Sequence, residues 1–348
     1  MKKTLVAMAV LAVSGASMAQ VAITGSLAMG YKATHTAALN DGTASSDTSG
    51  LGIANSSINF KATEDLGGGT KVTATMGLGG ETGQTAAEGM NRGIISGGDA
   101  NLTVETANFG KFQFDTSESA DFMTRSTGNA GGADMAGKMY AERVGGATDV
   151  FIWSYQITPS ILFQYDISEA ALEGIGAGSQ GSAAVTAQRQ SQYRVNYTAG
   201  PVALSVRYAI YDSKNQVGSM DNRVRLAGTY DFGVVKVGAA YNQLSNVGAG
   251  TRTDTAMSIG VPMGALKLGA NVVQRTTSNY SSFSNVTGTT TAYIDQTVSG
   301  YGLTADYALS KLTSINFSYA SWNQYAKTAA KAESERRNDM TLVLTKNF

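Results

Sequence analysis

Val202, Leu204, Val206, Tyr208 and Ile210 take every second position of one stretch, with Ala203, Ser205, Arg207 and Ala209 between them. Alternation at a period of two belongs to an extended chain whose successive side chains point to opposite faces of a sheet. The same pattern sets Ile58, Phe60 and Ala62 against Asn59, Lys61 and Thr63, and Val72, Ala74, Met76 and Leu78 against Lys71, Thr73 and Thr75. It returns as Tyr193, Val195 and Tyr197 against Arg194 and Asn196, and as Val224, Leu226 and Tyr230 against Arg223, Arg225 and Thr229. The charge lies on one face of each strand, so the two faces must meet different media. The fold class is all-β.

The connections alternate as well, one short and one long. Short turns are marked at Asp65 to Gly69, Ala107 to Gly110, Thr158-Pro159, Ala199-Gly200-Pro201, Asp231-Phe232-Gly233, Pro262 to Ala265 and Leu309-Ser310-Lys311. All 3 prolines of the chain sit in these turns, where a missing N–H costs no ladder hydrogen bond. Longer stretches rich in Gly, Ser, Thr and Asn fall at about 33–55, 79–98, 116–148, 168–190, 212–221, 243–253, 276–297 and 321–338. Seven short and eight long connections predict about 16 antiparallel strands with both termini on the short-turn side, the even count of a single-chain bacterial barrel.

A soluble β-sandwich shares the period of two, and the start of the chain separates the possibilities. Met1-Lys2-Lys3, the apolar run Leu5 to Val13 and Ser17-Met18-Ala19 before Gln20 read as a secretory signal peptide over 1–19, cleaved after Ala19. Residues 20–348 are then one barrel domain. After residue 19 no apolar run approaches the roughly 20 residues of a transmembrane helix, and a closed barrel is the other structure that satisfies its own backbone in lipid. Tyr197, Tyr230 and Tyr307 precede short turns, and Phe109 and Phe112 flank another, as an aromatic girdle at one interface would require. Tyr31, Tyr165, Tyr208, Tyr241 and Tyr319 lie towards the long loops and suit the second girdle. Met340, Leu342, Leu344 and Phe348 share a face of the last strand, and Phe348 is expected to be the signal read by the barrel assembly machinery. The expected location is the cell outer membrane, with the lipid bilayer and lipopolysaccharide as surroundings.

Ser57-Ile58-Asn59-Phe60-Lys61-Ala62-Thr63-Glu64-Asp65-Leu66-Gly67-Gly68-Gly69-Thr70-Lys71 resembles the second strand, turn and third strand of general porins of the β-proteobacterial type, with Asn59 and Ala62 in place of family glycines. Weaker likenesses run over nearly the whole mature chain: Val21 to Gly25, Gly200-Pro201, Tyr230 to Gly233 with Lys236, Leu309 to Lys311 before Thr313, and Phe348. The resemblance implies a homotrimer of 16-stranded barrels, a third loop folded into the lumen, and passive diffusion of small hydrophilic solutes. Where the family strand after the Phe109-Gly110 turn ends in Gly-Arg, this chain has Asp115-Thr116, and the family's Asn-Ser-Val-Arg-Tyr is not recognisable in Thr148 to Tyr155. Two constriction arginines of the family therefore have no counterpart by motif.

A pore needs a polar lumen and a field rather than a catalytic constellation. Strand parity puts Lys61, Lys71, Arg194, Arg207, Arg223, Arg225, Lys236, Lys267 and Arg275 on the polar side as a basic wall. Acids expected at the constriction are Asp115 on its strand and Glu118, Asp121, Asp134 and Glu142 in the third loop, so that a basic wall faces an acidic loop. The alternative for any one of these charges is that it pairs and solvates a wide tube. The middle arginines favour a modest anion preference. A substrate-specific channel, or a display barrel acting as an adhesin, remains the alternative reading.

Hydrolytic triads and zinc sites usually need a placed histidine, and the single His35 lies in the first polar loop, so no enzyme, metal or cofactor is expected. Gly67-Gly68-Gly69-Thr70-Lys71 lacks the spacing of a phosphate loop and joins two strands. The chain has no cysteine, and its 26 basic residues include Lys2 and Lys3 of the leader, which leaves 24 against 26 acidic residues and no case for a nucleic-acid partner.

Overall fold

The computed structural model describes residues 20–38, 44–79, 96–118, 128–131, 147–170, 189–212, 217–284, 289–323 and 336–348. The leader expected over 1–19, and Asp121, Asp134 and Glu142 of the third loop, lie outside the described residues, as does the side chain of Glu118. In chain order the strands are β1 (Gln20–Thr36), β2 (Ser46–Gly67), β3 (Thr70–Gly79), β4 (Ser96–Thr106), β5 (Gly110–Glu118) and β6 (Ala147–Thr158). They continue as β7 (Ile161–Ala170), β8 (Arg189–Ala199), β9 (Val202–Tyr211), β10 (Met220–Asp231), β11 (Lys236–Asn246) and β12 (Thr251–Met263). The last are β13 (Leu266–Ser278), β14 (Ser281–Ser284), β15 (Thr289–Ala292), β16 (Gln296–Ser310), β17 (Thr313–Asn323) and β18 (Arg336–Asn347).

Sixteen of these strands close into one antiparallel barrel in which chain neighbours pair, β13 pairs with β16, and β18 pairs back with β1. The remaining two, β14 and β15, form a separate hairpin in the connection between β13 and β16. The seven short turns fall where the turn residues predicted them. At the first, Gly67, Gly68 and Gly69 have φ of 81°, 61° and 77°, a left-handed run closed to most side chains, and the Gly67 N–H donates to Asp65 Oδ1 at 2.9 Å.

The long connections are shorter than the loop-like composition suggested. β2 already begins at Ser46 and pairs to the end of β1, Thr36 facing Ser46 and His35 facing Asp47. His35 is thus a strand residue, and its Nδ1 lies 2.7 Å from Asp47 Oδ1. Likewise only residues 247–250 separate β11 from β12.

Burial is inverted relative to a water-soluble protein. Large apolar side chains are exposed around the outer face, among them Met76, Leu102, Phe114, Leu204, Val206, Leu226, Met257, Tyr301 and Leu344. The largest fully buried side chains are Asn242, Thr277, Asp254, Ser205 and Ser321. An apolar exterior and a polar interior are what lipid outside and water inside require. Residues 128–131, from the connection between β5 and β6, lie inside against β11 to β13, where Ser258 Oγ accepts from the Ala130 N–H at 2.7 Å.

Candidate functional site

Pairing registers show how the barrel assembles its inner wall. Directly opposed residues on neighbouring antiparallel strands point to the same face, with Cβ atoms about 5 Å apart. One such row begins at the first turn and climbs around the barrel: Asp65 faces Lys71, Lys71 faces Glu105, and Glu105 faces Lys111. It continues through Ser154, Gln164 and Arg194. Arg194 then faces Arg207, and Arg207 faces Arg225. Beyond them Arg225 faces Asn242, Asn242 faces Asp254, and Asp254 faces Arg275. The wall alternates in sign over β2 to β5, carries three consecutive arginines over β8 to β10, and resumes with an acid and a base on β12 and β13.

Side-chain contacts divide the basic residues into kinds that parity alone does not distinguish. Arg194 donates to Asp166 Oδ2 and to Gln164 Oε1, each at 3.2 Å, and Gln192 Nε2 reaches the same Asp166 oxygen at 2.7 Å. Arg207 Nε lies 3.4 Å from Ser205 Oγ, and Arg225 Nε donates to Asn242 Oδ1 at 3.0 Å. These three guanidinium groups are partly open. Arg275, by contrast, is buried against a carboxylate that is itself 0% exposed: Nε donates to Asp254 Oδ1 at 2.6 Å, while Asn242 Nδ2 donates to Asp254 Oδ2 at 2.9 Å. Arg223 is also buried, with its guanidinium 5.3 Å from the centre of the Tyr211 ring.

The remaining candidates sit lower or on other sectors. Lys61 faces Thr75, Lys236 faces Asp231 and Gly260, and Lys267 faces Asp306, whose carboxylate accepts from Asn316. Asp115 faces Asn101 on one side and Val150 on the other. Sequence reasoning missed Arg252, which the loop-like stretch 243–253 hid; it lies on the inner face of β12, 3.9 Å from Asp254, with its guanidinium 5.8 Å from the Tyr280 ring centre. It also missed Asp339, a buried carboxylate on β18 flanked by Arg337 at 3.5 Å and Lys32 at 3.9 Å. The signal was available, since Asp339 shares parity with Thr341 and Val343 opposite the apolar Met340, Leu342 and Leu344.

Comparison with known proteins gives this wall its context. The family model described as Gram-negative porin matches residues 4–325. Outer membrane porin protein 32 of Delftia acidovorans is 38% identical over 94 residues, 26% of this chain and 26% of that protein, so the matched stretch spans about a quarter of the relative's length. The anion-selective porin from Comamonas acidovorans superposes with a TM-score of 0.61 at 15% identity, over 95% of this chain and 100% of that one. The Salmonella typhi OmpF complex with daunomycin gives 0.62 at 11% identity, over 95% and 100%. At such identities the superpositions establish the barrel, and the family model establishes the lineage. The chain is an outer-membrane β-barrel that belongs to the Gram-negative porin family.

Proposed function

We propose that the chain forms a water-filled channel for passive diffusion of small hydrophilic solutes and ions, with a modest anion preference. The observation that carries the preference is the unbroken arginine run across three strands, Arg194, Arg207 and Arg225. On β7 to β10 the inner face adds Arg223, and against these four arginines stand Asp166 and, at the two ends of β10, Asp221 and Asp231. Fixed charge inside a narrow, partly dry pore is screened less than at the rim, where the Debye length is about 8 Å at physiological salt. That a protein of the same fold is an anion-selective porin supports the reading. The remaining basic candidates, Lys61, Lys71, Lys236 and Lys267, lie on other sectors, where Lys71, Lys236 and Lys267 each stand opposite a carboxylate.

Replacing Arg194, Arg207 and Arg225 together by Gln keeps polar side chains on the wall and removes three positive charges. The zero-current potential in a potassium chloride gradient is expected to move towards cations, with the folded barrel intact. An unchanged potential would mean that these arginines do not set the field and that the acids of the third loop do. The chain is further proposed to act as a homotrimer, through the outer face of its early strands.

A further inference from the structure

The hairpin of β14 and β15 does not stand clear of the barrel. Tyr211 on β9 shares its face with Arg207 and Ala209, and Leu244 on β11 shares its face with Asn242, so both point into the lumen at the long-connection end. Tyr280, which precedes β14, is packed with Tyr211, Leu244 and Ala209 in one buried cluster, with Met220 and Tyr293 against it. A ring from the connection between β13 and β16 meets side chains of β9 and β11 only by crossing the inner side of β12. The base of the hairpin therefore lies inward, over one sector of the mouth.

Polar ties hold it there. The Ser281 N–H donates to the Ala249 carbonyl at 3.0 Å, and Asn246 Nδ2 donates to the Ser281 carbonyl at 2.6 Å and to the Gly218 carbonyl at 3.0 Å. Thr290 Oγ1 donates to the Val217 carbonyl at 3.4 Å, so β15 is tied to the connection before β10 as β14 is to the turn after β11. At the hairpin's base the Tyr293 N–H donates to the Tyr280 carbonyl at 2.9 Å, and the two ring centroids lie 5.2 Å apart. Gly250 lets the turn come this close, since its φ is 65° and a Cβ there would stand 2.1 Å from the Ser278 carbonyl oxygen.

Two arginines lie beneath this cover. Arg223 faces Leu244, and Leu244 faces Arg252, in the inward row above that of Arg225, Asn242 and Asp254. The Arg223 guanidinium lies against the Tyr211 ring and that of Arg252 against the Tyr280 ring, and both side chains are largely buried. With Arg225 and Arg275 they make four positive charges on β10 to β13, and the acids at these heights are Asp254 and, at the outer end of β10, Asp221. We propose that Tyr211, Leu244, Tyr280 and Tyr293, anchored by Asn246, are positioning residues that form a roof over Arg223 and Arg252, and that this roof keeps the channel's anion preference at salt concentrations that screen an open wall. The inference rests on the anion-preferring channel read above. Mobile ions screen a charge only where they can surround it, over about 10 Å at 0.1 M salt and about 3 Å at 1 M. Rings in place of water exclude those ions from the outer side of the arginines and lower the local dielectric constant, so the field they cast into the lumen is weakened less. The roof touches no solute and acts through the arginines.

The absence of native cysteine allows the cover to be tested apart from transport. Leu244→Cys in the reconstituted barrel is expected to react slowly with a charged, water-soluble maleimide, and about tenfold or more faster when combined with Asn246→Ala or with Tyr280→Ser and Tyr293→Ser. Rapid labelling of the single variant, or equal rates in all three, overturns the roof. The zero-current potential is then read in potassium chloride gradients of fixed ratio, centred on about 0.1 M and about 1 M. The parent should hold its anion-to-cation permeability ratio within about twofold between the two, whereas Asn246→Ala, and separately Tyr280→Ser with Tyr293→Ser, should lie close to the parent at the lower salt and about twofold or more below it at the higher. Asn246→Ala keeps every ring, so it reports on the roof even if the serine variant fails to fold, and the labelling of Leu244→Cys alone decides if neither folds. Faster labelling with a salt dependence like the parent's overturns the roof's part in selectivity and leaves the anion-preferring channel standing. A parent without anion preference at either salt removes both.

Discussion

Asp254 is the most deeply buried charge of the wall. Its carboxylate receives Arg275 at 2.6 Å on one oxygen and Asn242 at 2.9 Å on the other, with Arg252 at 3.9 Å. Taking one member from a buried ion pair costs about 3–5 kcal/mol, because the other charge is left without compensation. Asp254→Ala should therefore lower the denaturation midpoint of the reconstituted barrel substantially, and Arg275→Met in the same background should restore part of the loss. Equal midpoints for the single and double variants would show that Arg275 does not need its partner. Parity in the sequence was enough to assign Arg194, Arg207, Arg225 and Arg275 to one face. It could not separate the half-open arginines from the locked one, because the lock is built from Asn242 and Asp254 on two other strands. Burial of a charge depends on what the register brings beside it, and register is not written in the strand itself.

At the scale of the strand, the alternation was readable wherever its two faces differ and failed where they do not. In β6 the inward Val150 and Ile152 are as apolar as the outward Phe151, Trp153 and Tyr155, and the facing is settled by pairing: Phe114 opposes Phe151, and Ile152 opposes Asp166. The outward set is held by rings, with Phe151 and Phe114 centroids 5.2 Å apart, and by Trp153 Nε1 donating to the Phe109 carbonyl at 2.9 Å. Strand ends rich in Gly and Ser, such as the start of β2, carry no apolar partner face and so resemble loop in composition while pairing as strand. The contact of residues 128–131 with the wall was hidden for a similar reason, since Gly238, Gly260 and Gly269, which lie against it, look like ordinary strand glycines until the register brings three strands together. The facing yields a test. Leu226 is 43% exposed on the outer face, and an arginine at mid-membrane there costs about 2–4 kcal/mol. Leu226→Arg should depress the yield of folded barrel, while Thr75→Arg, inward between Lys61 and Asn101, should not. Thr229 is also inward but makes a poor control, being 5% exposed and opposite Gly238, which lies against Gly128. Equal yields from Leu226→Arg and Thr75→Arg would reverse the assignment of the faces.

The molecule as a whole is closed by its two terminal strands. The Gly25 N–H donates to the Phe348 carbonyl at 2.9 Å, the Phe348 N–H donates back to Gly25 at 3.0 Å, and a Cβ at Gly25 would meet the Phe348 ring at 2.4 Å. The barrel itself has no open edge, so within the membrane its backbone pairing offers nothing to a second copy and association there has to use the outer wall. In lipid the hydrophobic effect does not drive such association, so close packing must, and small residues allow it. The outer face of the early strands has that form. Ile23 faces Phe60, Phe60 faces Met76, and Met76 faces Ala100. In the next row Val21 faces Ala62, Ala62 faces Ala74, and Ala74 faces Leu102, so alanines form the floor of a trough between larger apolar walls. A ring of three copies would set a different patch of the neighbour into this trough, as cyclic assembly requires. Ala74→Trp fills the floor with an apolar side chain that lipid accepts, and so separates loss of contact from loss of folding. Unboiled parent protein should migrate as a stable oligomer that collapses to a monomer on heating. The tryptophan variant should migrate unboiled as a folded, conducting monomer. A parent that is monomeric in mild detergent at every concentration would remove the trimer, and an oligomer undisturbed by Ala74→Trp would move its contacts to another face of the barrel.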